Sequence, residues 1–479
     1  MLACSLLASA TAGAATIDVT RRGAKGDGVT DNTAVIQQAV DECAKKGGGT
    51  VSVPTGTYRI RPVELKTGVN LHLEAGAVLL GSTRLADYDN AFPFKDGSMN
   101  QSPGLLYARG QERISVTGAG TVDGQGGDKA FQFGNDADGG PKRPKIIYFA
   151  ECRGVTVTGV TLRNSAYWVQ HYERCEDVTI RGIKVFSHCN YNNDGLDIDA
   201  KNATVSDCYI DVEDDAICFK SDHPDFCENI TVTNCVTASN CNAIKFGTAS
   251  HGGFRNIAVS NCVVRRAAED NIRHWSKQLE HISAEVTVIS GIAIEMVDGG
   301  IIDGITVSNI SMRDVQTPVF IRLGDRSRTF RKEGGVLKNI LISNIVATAE
   351  SLMACSITGV ETACVENVSV TDMQVTYPGG GTAEMVSKPV PEVEKVYPEN
   401  RMFGHTLPAA GFYVRHAKNI RFTNVRFDAL RPDARPLFFF DDVTQAELNG
   451  CKGPVPADAR FIRTVRSSGI SADGRWLVK

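Results

Sequence analysis

NATVSDC at 202–208, NITVTNC at 229–235 and NIAVSNC at 256–262 are three copies of one phrase. The cysteines that close them, Cys208, Cys235 and Cys262, are spaced by 27 residues both times. Inside each copy, Ala, Ile or Val alternates with Thr or Ser, the period of a strand with one buried face. Asn or Asp stands where the chain must turn. Weaker copies extend the pattern both ways: GVTVTGVTL from Gly154, DVTIRGIKV from Asp177, GITVSNISM from Gly304, NILISNIVA from Asn339, NVSVTDMQV from Asn367 and NIRFTNVRF from Asn419. One copy cannot bury its apolar face alone, whereas stacked copies bury one another.

The spacing therefore predicts an all-β, single-stranded right-handed parallel β-helix with coils about 4.8 Å apart. A β-sandwich would show Asn-Gly-type hairpin signals every 8–12 residues or so, and these are scarce. Equal registration predicts Cys208, Cys235 and Cys262 as a column of buried thiols, acting as small hydrophobes. The open N-terminal end calls for a capping helix, and residues 31–46 supply one: Asp31 or Asn32 at its start, an apolar stripe through Ala34, Val35, Ile36, Ala39, Val40 and Cys43, and Gly47–Gly49 to stop it. TVSVPTGTYRI, at 50–60, reads as the first strand. The division expected is a leader at 1–15 and one domain at 16–479. Within that domain, the cap runs to about 60, acid-bearing coils span about 154–325, and C-terminal coils span 326–479. The stretches near 265–300 and 376–418 read as loops that extend from the coils.

Met1 to Ala15 is apolar and ends in small residues, as a cleaved export signal does; Cys4 leaves a lipid anchor as the alternative. An exported location, periplasmic or extracellular, is expected. No later run is long and apolar enough to insert in a membrane. The net charge of −4 over 479 residues gives no field to attract nucleic acid. Fourteen cysteines permit disulfides, but no pairing can be read from their order.

Chemistry is concentrated in two acidic clusters on consecutive coils: Asn192-Asn193-Asp194-Gly195-Leu196-Asp197-Ile198-Asp199 and Glu213-Asp214-Asp215. Asp194 and Asp214 are close to one coil apart, so stacking sets the clusters side by side. Like charges so placed cannot all ionise, and one pKa must rise. A protonated carboxyl beside ionised partners is what glycoside hydrolysis uses. Solvated turn acids and a calcium site are the alternative readings of such a cluster.

The first cluster resembles the Asn-Thr-Asp-Gly-x-Asp motif of glycoside hydrolase family 28, the polygalacturonases, and Asp214-Asp215 resembles that family's Asp-Asp pair. RRGAKGDGVTDNTAVIQQAV, at 21–40, and GTVDGQGG, at 120–127, are also similar to this superfamily. The resemblance implies an inverting, metal-independent hydrolase with no cofactor, acting on a uronic-acid-containing, pectin-type carbohydrate, and the likeness to an exo-acting bacterial branch implies action at chain ends. Asp214 would be the general acid, and Asp194 with Asp215 would activate water, with acid and base about 6.5–9.5 Å apart. Two motifs depart from the family. Asn242 replaces the histidine of Gly-His-Gly, and Ala293-Ile294-Glu295 falls where Arg-Ile-Lys grips the substrate carboxylate. Lys245, Lys220, Arg322 and Arg326 are candidates to replace the lost cations. Substrate contacts are expected from Asn192, Asn242, Lys245, Trp168, His171 and Arg322, with Trp168 as a stacking surface. Arg273, His274 and Trp275 mark a candidate lid. A β-helix uronate lyase or epimerase, and a glycan-binding solenoid without turnover, are the competing readings.

Overall fold

The computed structural model describes residues 15–93, 102–131, 143–268, 279–280, 282, 288–326, 333–454 and 461–479. The expected leader, up to residue 14, and the candidate lid at Arg273, His274 and Trp275 lie outside these residues.

Why the repeats stack is visible in one column of side chains. Val155 pairs with Val178, Val178 with Ala203, Ala203 with Ile230 and Ile230 with Ile257. The column continues through Ile305, Ile340, Val368, Ile420, Ala446 and Ile470. All eleven belong to one continuous core. Each buried Val or Ile stabilises the stack by about 1.5–3 kcal/mol. The strands form a single sheet system wound as a right-handed parallel β-helix. Among the described residues, the one antiparallel pairing of named strands is Ser468–Ala472 with Arg475–Val478, at the C-terminal end.

The asparagines that flank the strands explain the corners. Asn202, Asn229, Asn256, Asn339, Asn367 and Asn419 all have φ between 53° and 60°, a left-handed conformation that Asn tolerates better than most side chains. Their amides also bond from coil to coil: Asn229 to Asn202 at 3.1 Å, Asn256 to Asn229 at 2.8 Å, Asn367 to Asn339 at 2.9 Å and Asn419 to Asn367 at 2.8 Å. The thiol column forms as expected. Cys208, Cys235 and Cys262 are buried and free, and each donates to the carbonyl two residues earlier at 3.2 Å.

A helix at Thr33–Lys45 buries Ile36, Ala39, Val40 and Cys43. It packs on the first strands of the stack, Ala15–Asp18 and Gly49–Val53. Asp31 accepts from the Thr33 amide at 2.9 Å, while the Asn32 side chain turns away to Lys25 and Thr30. Residues 50–60 differ from the single strand expected. They lie in two strands, Gly49–Val53 and Gly56–Ile60, because Pro54 cannot donate to a ladder and Gly56 bends the chain at φ 143°. Ala15–Asp18 precedes them and pairs with Gly49–Val53.

The loop expected at 376–418 is shorter: one strand runs to Tyr377 and the next begins at Phe412, and residues 378–411 between them carry one short helix, Ala383–Ser387. It returns to the stack at several points. Asn400 Nδ2 donates to Ile289 O at 2.9 Å and to Thr317 Oγ1 at 2.9 Å, and Asp325 N donates to Glu394 O at 3.0 Å.

Candidate active site

The two acidic clusters are brought together by the register of three consecutive coils. Leu196 pairs with Ile217, and Ile217 with Ile244. Gly195 N donates to Asp215 O at 2.8 Å, and Ala216 N to Asn242 O at 2.9 Å. Asp194 therefore stands over Asp215, and Asp215 over Asn242. The spacing had set Asp194 opposite Asp214; the register moves it by one residue. Gly195 is required by this closeness, since a Cβ there would lie 2.7 Å from the Ala216 carbonyl oxygen.

Carboxylate oxygens of Asp194 and Asp215 lie within 4.8 Å of each other, as do those of Asp214 and Asp215. All three are buried, at 2–6% exposure, and they line a cleft of about 170 Å³ with Tyr167, Trp168, Asn192, Lys220, Thr248, Arg326 and Tyr397.

Their surroundings differ. Burial, then the charges of Asp215 and Glu213, push the Asp214 carboxyl up to about 8. Burial also acts on Asp215, but Lys245, Lys220 and the Asn242 amide outweigh it and hold that carboxyl below its usual value. Lys245 Nζ is 3.0 Å from Asp215 Oδ2, and Asn242 Nδ2 donates to Asp215 Oδ1 at 2.8 Å. Burial and Asp214 raise Asp194 well above the carboxylate range. Lys220 Nζ lies between Asp194, at 3.5 Å, and Asp197, at 3.4 Å. The three acids interact too closely to titrate one by one, and the proton sits preferentially on Asp214 and Asp194.

Other expected contacts fall in three groups. Asn192 lines the cleft, with Nδ2 at 3.5 Å from Asp214 Oδ2 and its own oxygen held by Arg143 at 3.0 Å. Asn242 and Lys245 lie behind Asp215, 6% and 2% exposed; they act on the acid and not directly on the cleft. Lys245 also approaches Glu295 at 3.8 Å, and burial pushes Glu295 up to about 7. Glu295 belongs to the coil expected to carry the Ala293-Ile294-Glu295 departure, and Lys245 pairs with Ala293 there.

His171 and Arg322 are corrections. His171 is fully buried, with Nδ1 at 2.9 Å from Lys145 Nζ. Burial and Lys145 hold its pKa well below the usual value. Arg322 is 1% exposed and clamps the chain, donating to Gly359 O at 2.8 Å and Glu392 O at 3.0 Å. Neither lines the cleft: Tyr148 and Trp168 pack against His171, and the carbonyls of Glu392 and Val393 in the long loop cover Arg322. Trp168 lines the cleft but is only 4% exposed. Tyr167 stacks on it at 5.4 Å, and Lys145 and Lys220 lie 4.5 and 4.6 Å from its ring centroid, so little of the ring is left to a ligand.

Arg326, regarded in the sequence as one of several cations, is the arginine that does line the cleft. It pairs with Asp298 through Nε at 2.9 Å and Nη2 at 2.6 Å. Tyr397 was not singled out by the sequence. It comes from the long loop, 152 residues beyond its partner Lys245, and no local pattern marks it. A larger cleft, about 370 Å³, shares no lining residue with this one. Arg174 there pairs with Glu151 at 3.1 Å.

Comparison with known proteins shows the family of the chain. The chain is 30% identical to a probable polygalacturonase of Vitis vinifera over 214 residues, 42% of this chain and 43% of that protein. It is 27% identical to an exo-poly-alpha-D-galacturonosidase of Dickeya chrysanthemi over 252 residues, 42% and 41% of the two. The match thus spans about two fifths of these relatives' lengths. The fold is shared with a hyperthermoactive exopolygalacturonase of Thermotoga maritima, at TM-score 0.62, 22% identity and coverage of 76% of this chain and 87% of that one. It is also shared with a family 28 exopolygalacturonase of Yersinia enterocolitica, at 0.59, 17% identity and coverage of 96% and 79%. The model of one family, glycosyl hydrolases family 28, matches residues 43–394. That match runs through every coil that carries an acid of the cleft, and so the chain belongs to glycosyl hydrolases family 28.

Proposed function

We propose that this protein hydrolyses a glycosidic bond in a uronic-acid-containing, pectin-type polysaccharide or oligosaccharide, at chain ends. The observation that carries the reading is the split between adjacent carboxyls: Asp214 held protonated up to about 8, and Asp215 held ionised by Lys245 and Lys220. Asp214 gives its proton to the glycosidic oxygen as the bond to the anomeric carbon breaks. Asp215 takes a proton from the attacking water, and Asp194, beside it, orients that water. Proton transfer back through water restores both acids. The names of the Vitis and Dickeya relatives support a galacturonate substrate, and the second supports chain-end action. Two ammonium groups already neutralise the carboxylates, which lessens any demand for a metal ion. The apolar stretch at 1–15 supports export, which cell fractionation tests.

Family membership supports inversion of the anomeric carbon. One experiment tests it. Pectic, rhamnogalacturonan and other uronate oligosaccharides are supplied, and products are followed by reducing-end assay and proton NMR. New reducing ends that first form as the inverted anomer are expected. Asp214→Asn should lower turnover by about 10²–10⁴-fold with unfolding still cooperative. An unsaturated product absorbing in the near ultraviolet would make the protein a lyase. Binding without turnover would make it a glycan-binding solenoid.

A further inference from the structure

Tyr397 is unusual among the large side chains of the cleft, because 56% of its surface is exposed. Its hydroxyl is nevertheless held at the bottom of the cleft. Lys245 Nζ lies 3.2 Å from it and Thr248 Oγ1 lies 2.9 Å from it. Thr248 has one proton to give, and Glu295 Oε2 stands 3.0 Å away to accept it. The donors then fall in one order: Lys245 to Tyr397, Tyr397 to Thr248, Thr248 to Glu295. Burial of this end pushes the phenol up to about 12, so it stays protonated and keeps that order.

The chain on both sides of the ring is tied down. Before it, Glu392 O accepts from Arg322 and Glu394 O from Asp325 N. After it, Asn400 is bonded to Ile289 and Thr317. A ring more than half exposed, with Lys245 and Arg326 at 5.5 and 5.9 Å from its centroid, a fixed hydroxyl and a pinned backbone, loses little freedom when a ligand covers it. Trp168, the other aromatic suited to the task, is only 4% exposed, with Tyr167 stacked on it and Lys145 and Lys220 close to its ring.

We propose that Tyr397 is the stacking platform for a pyranose ring of the substrate and, through its hydroxyl, the positioning residue for Lys245. The inference rests on the hydrolase reading and adds to it a substrate contact delivered from outside the acid-bearing coils. Lys245 is 3.0 Å from Asp215, so the platform and the base share one chain of hydrogen bonds.

The test compares wild type, Tyr397→Phe and Tyr397→Ala on trigalacturonate. Tyr397→Ala is expected to raise KM about ten-fold, equivalent to about 1.4 kcal/mol. Tyr397→Phe keeps the ring and is expected to keep KM within about two-fold. Its acidic pH limb should move upward, because a less ordered Lys245 holds Asp215 ionised less well. An unchanged KM in Tyr397→Ala overturns the platform, and an unmoved limb in Tyr397→Phe overturns the positioning role. If wild type cleaves no uronate oligosaccharide, the hydrolase reading has failed, and the platform is judged by affinity electrophoresis in gels containing polygalacturonate. There, retention lost in Tyr397→Ala but kept in Tyr397→Phe supports it, and equal migration of all three proteins overturns it.

Discussion

Asp214 and Asp215 adjoin in the chain yet meet opposite surroundings. Asp214 has carboxylates for neighbours, whereas Asp215 has two ammoniums and an amide. The consequence is a pH profile. Asp214 must carry its proton, a form that is present below about 8 and lost above it. Asp215 must be ionised, a form lost only as pH falls through its lowered value. We expect kcat/KM to be level through the neutral range and to decline ten-fold per pH unit above about 8, as read from initial rates on trigalacturonate. A decline that begins near 5 instead would remove Asp214 from the acid role. At this scale the sequence marked the three aspartates that gather in the cleft, because their types and spacing are local. It did not show that Asn242 and Lys245 serve Asp215 from behind. Which way a side chain turns at a corner depends on the coil above and below.

Strands and corners were the most legible elements. Alternating Val and Ile need a buried face, and Asn at the corners fits the left-handed turn. Asn256 shows both roles, with φ 53° and an amide bonded to Asn229. Asn256→Ala should lower stability by about 1–2 kcal/mol, from the strained φ and the lost bond together. Asn256→Gly should cost less, since glycine accepts that φ freely. Thermal midpoints in the order wild type, Gly, Ala are the expected result; equal midpoints for Gly and Ala would show that the conformation contributes nothing. The single strand read at 50–60 was an element-level miss. Thr50–Val53 and Thr57–Ile60 share one alternating pattern, and only the turn at Pro54 and Gly56 separates them.

On the scale of the whole molecule, the long loop joins distant coils to the cleft, and Arg322 is its clamp. Arg322→Ala should free residues 390–400, seen as faster backbone hydrogen exchange there, and should weaken substrates of either charge alike. A loss confined to carboxylate-bearing substrates, with exchange unchanged, would return Arg322 to substrate binding. The sequence by itself determined the β-helix, the coil that follows each coil and the pair of acidic corners. These follow from a repeat in which every copy buries its neighbour's apolar face. Only the tertiary structure decided that Asp194 stands over Asp215, that Arg322 is a clamp, and that Tyr397 enters the cleft. Stacking register and the return of a long loop arise from contacts between residues far apart in the chain, and such contacts leave no periodic trace in it.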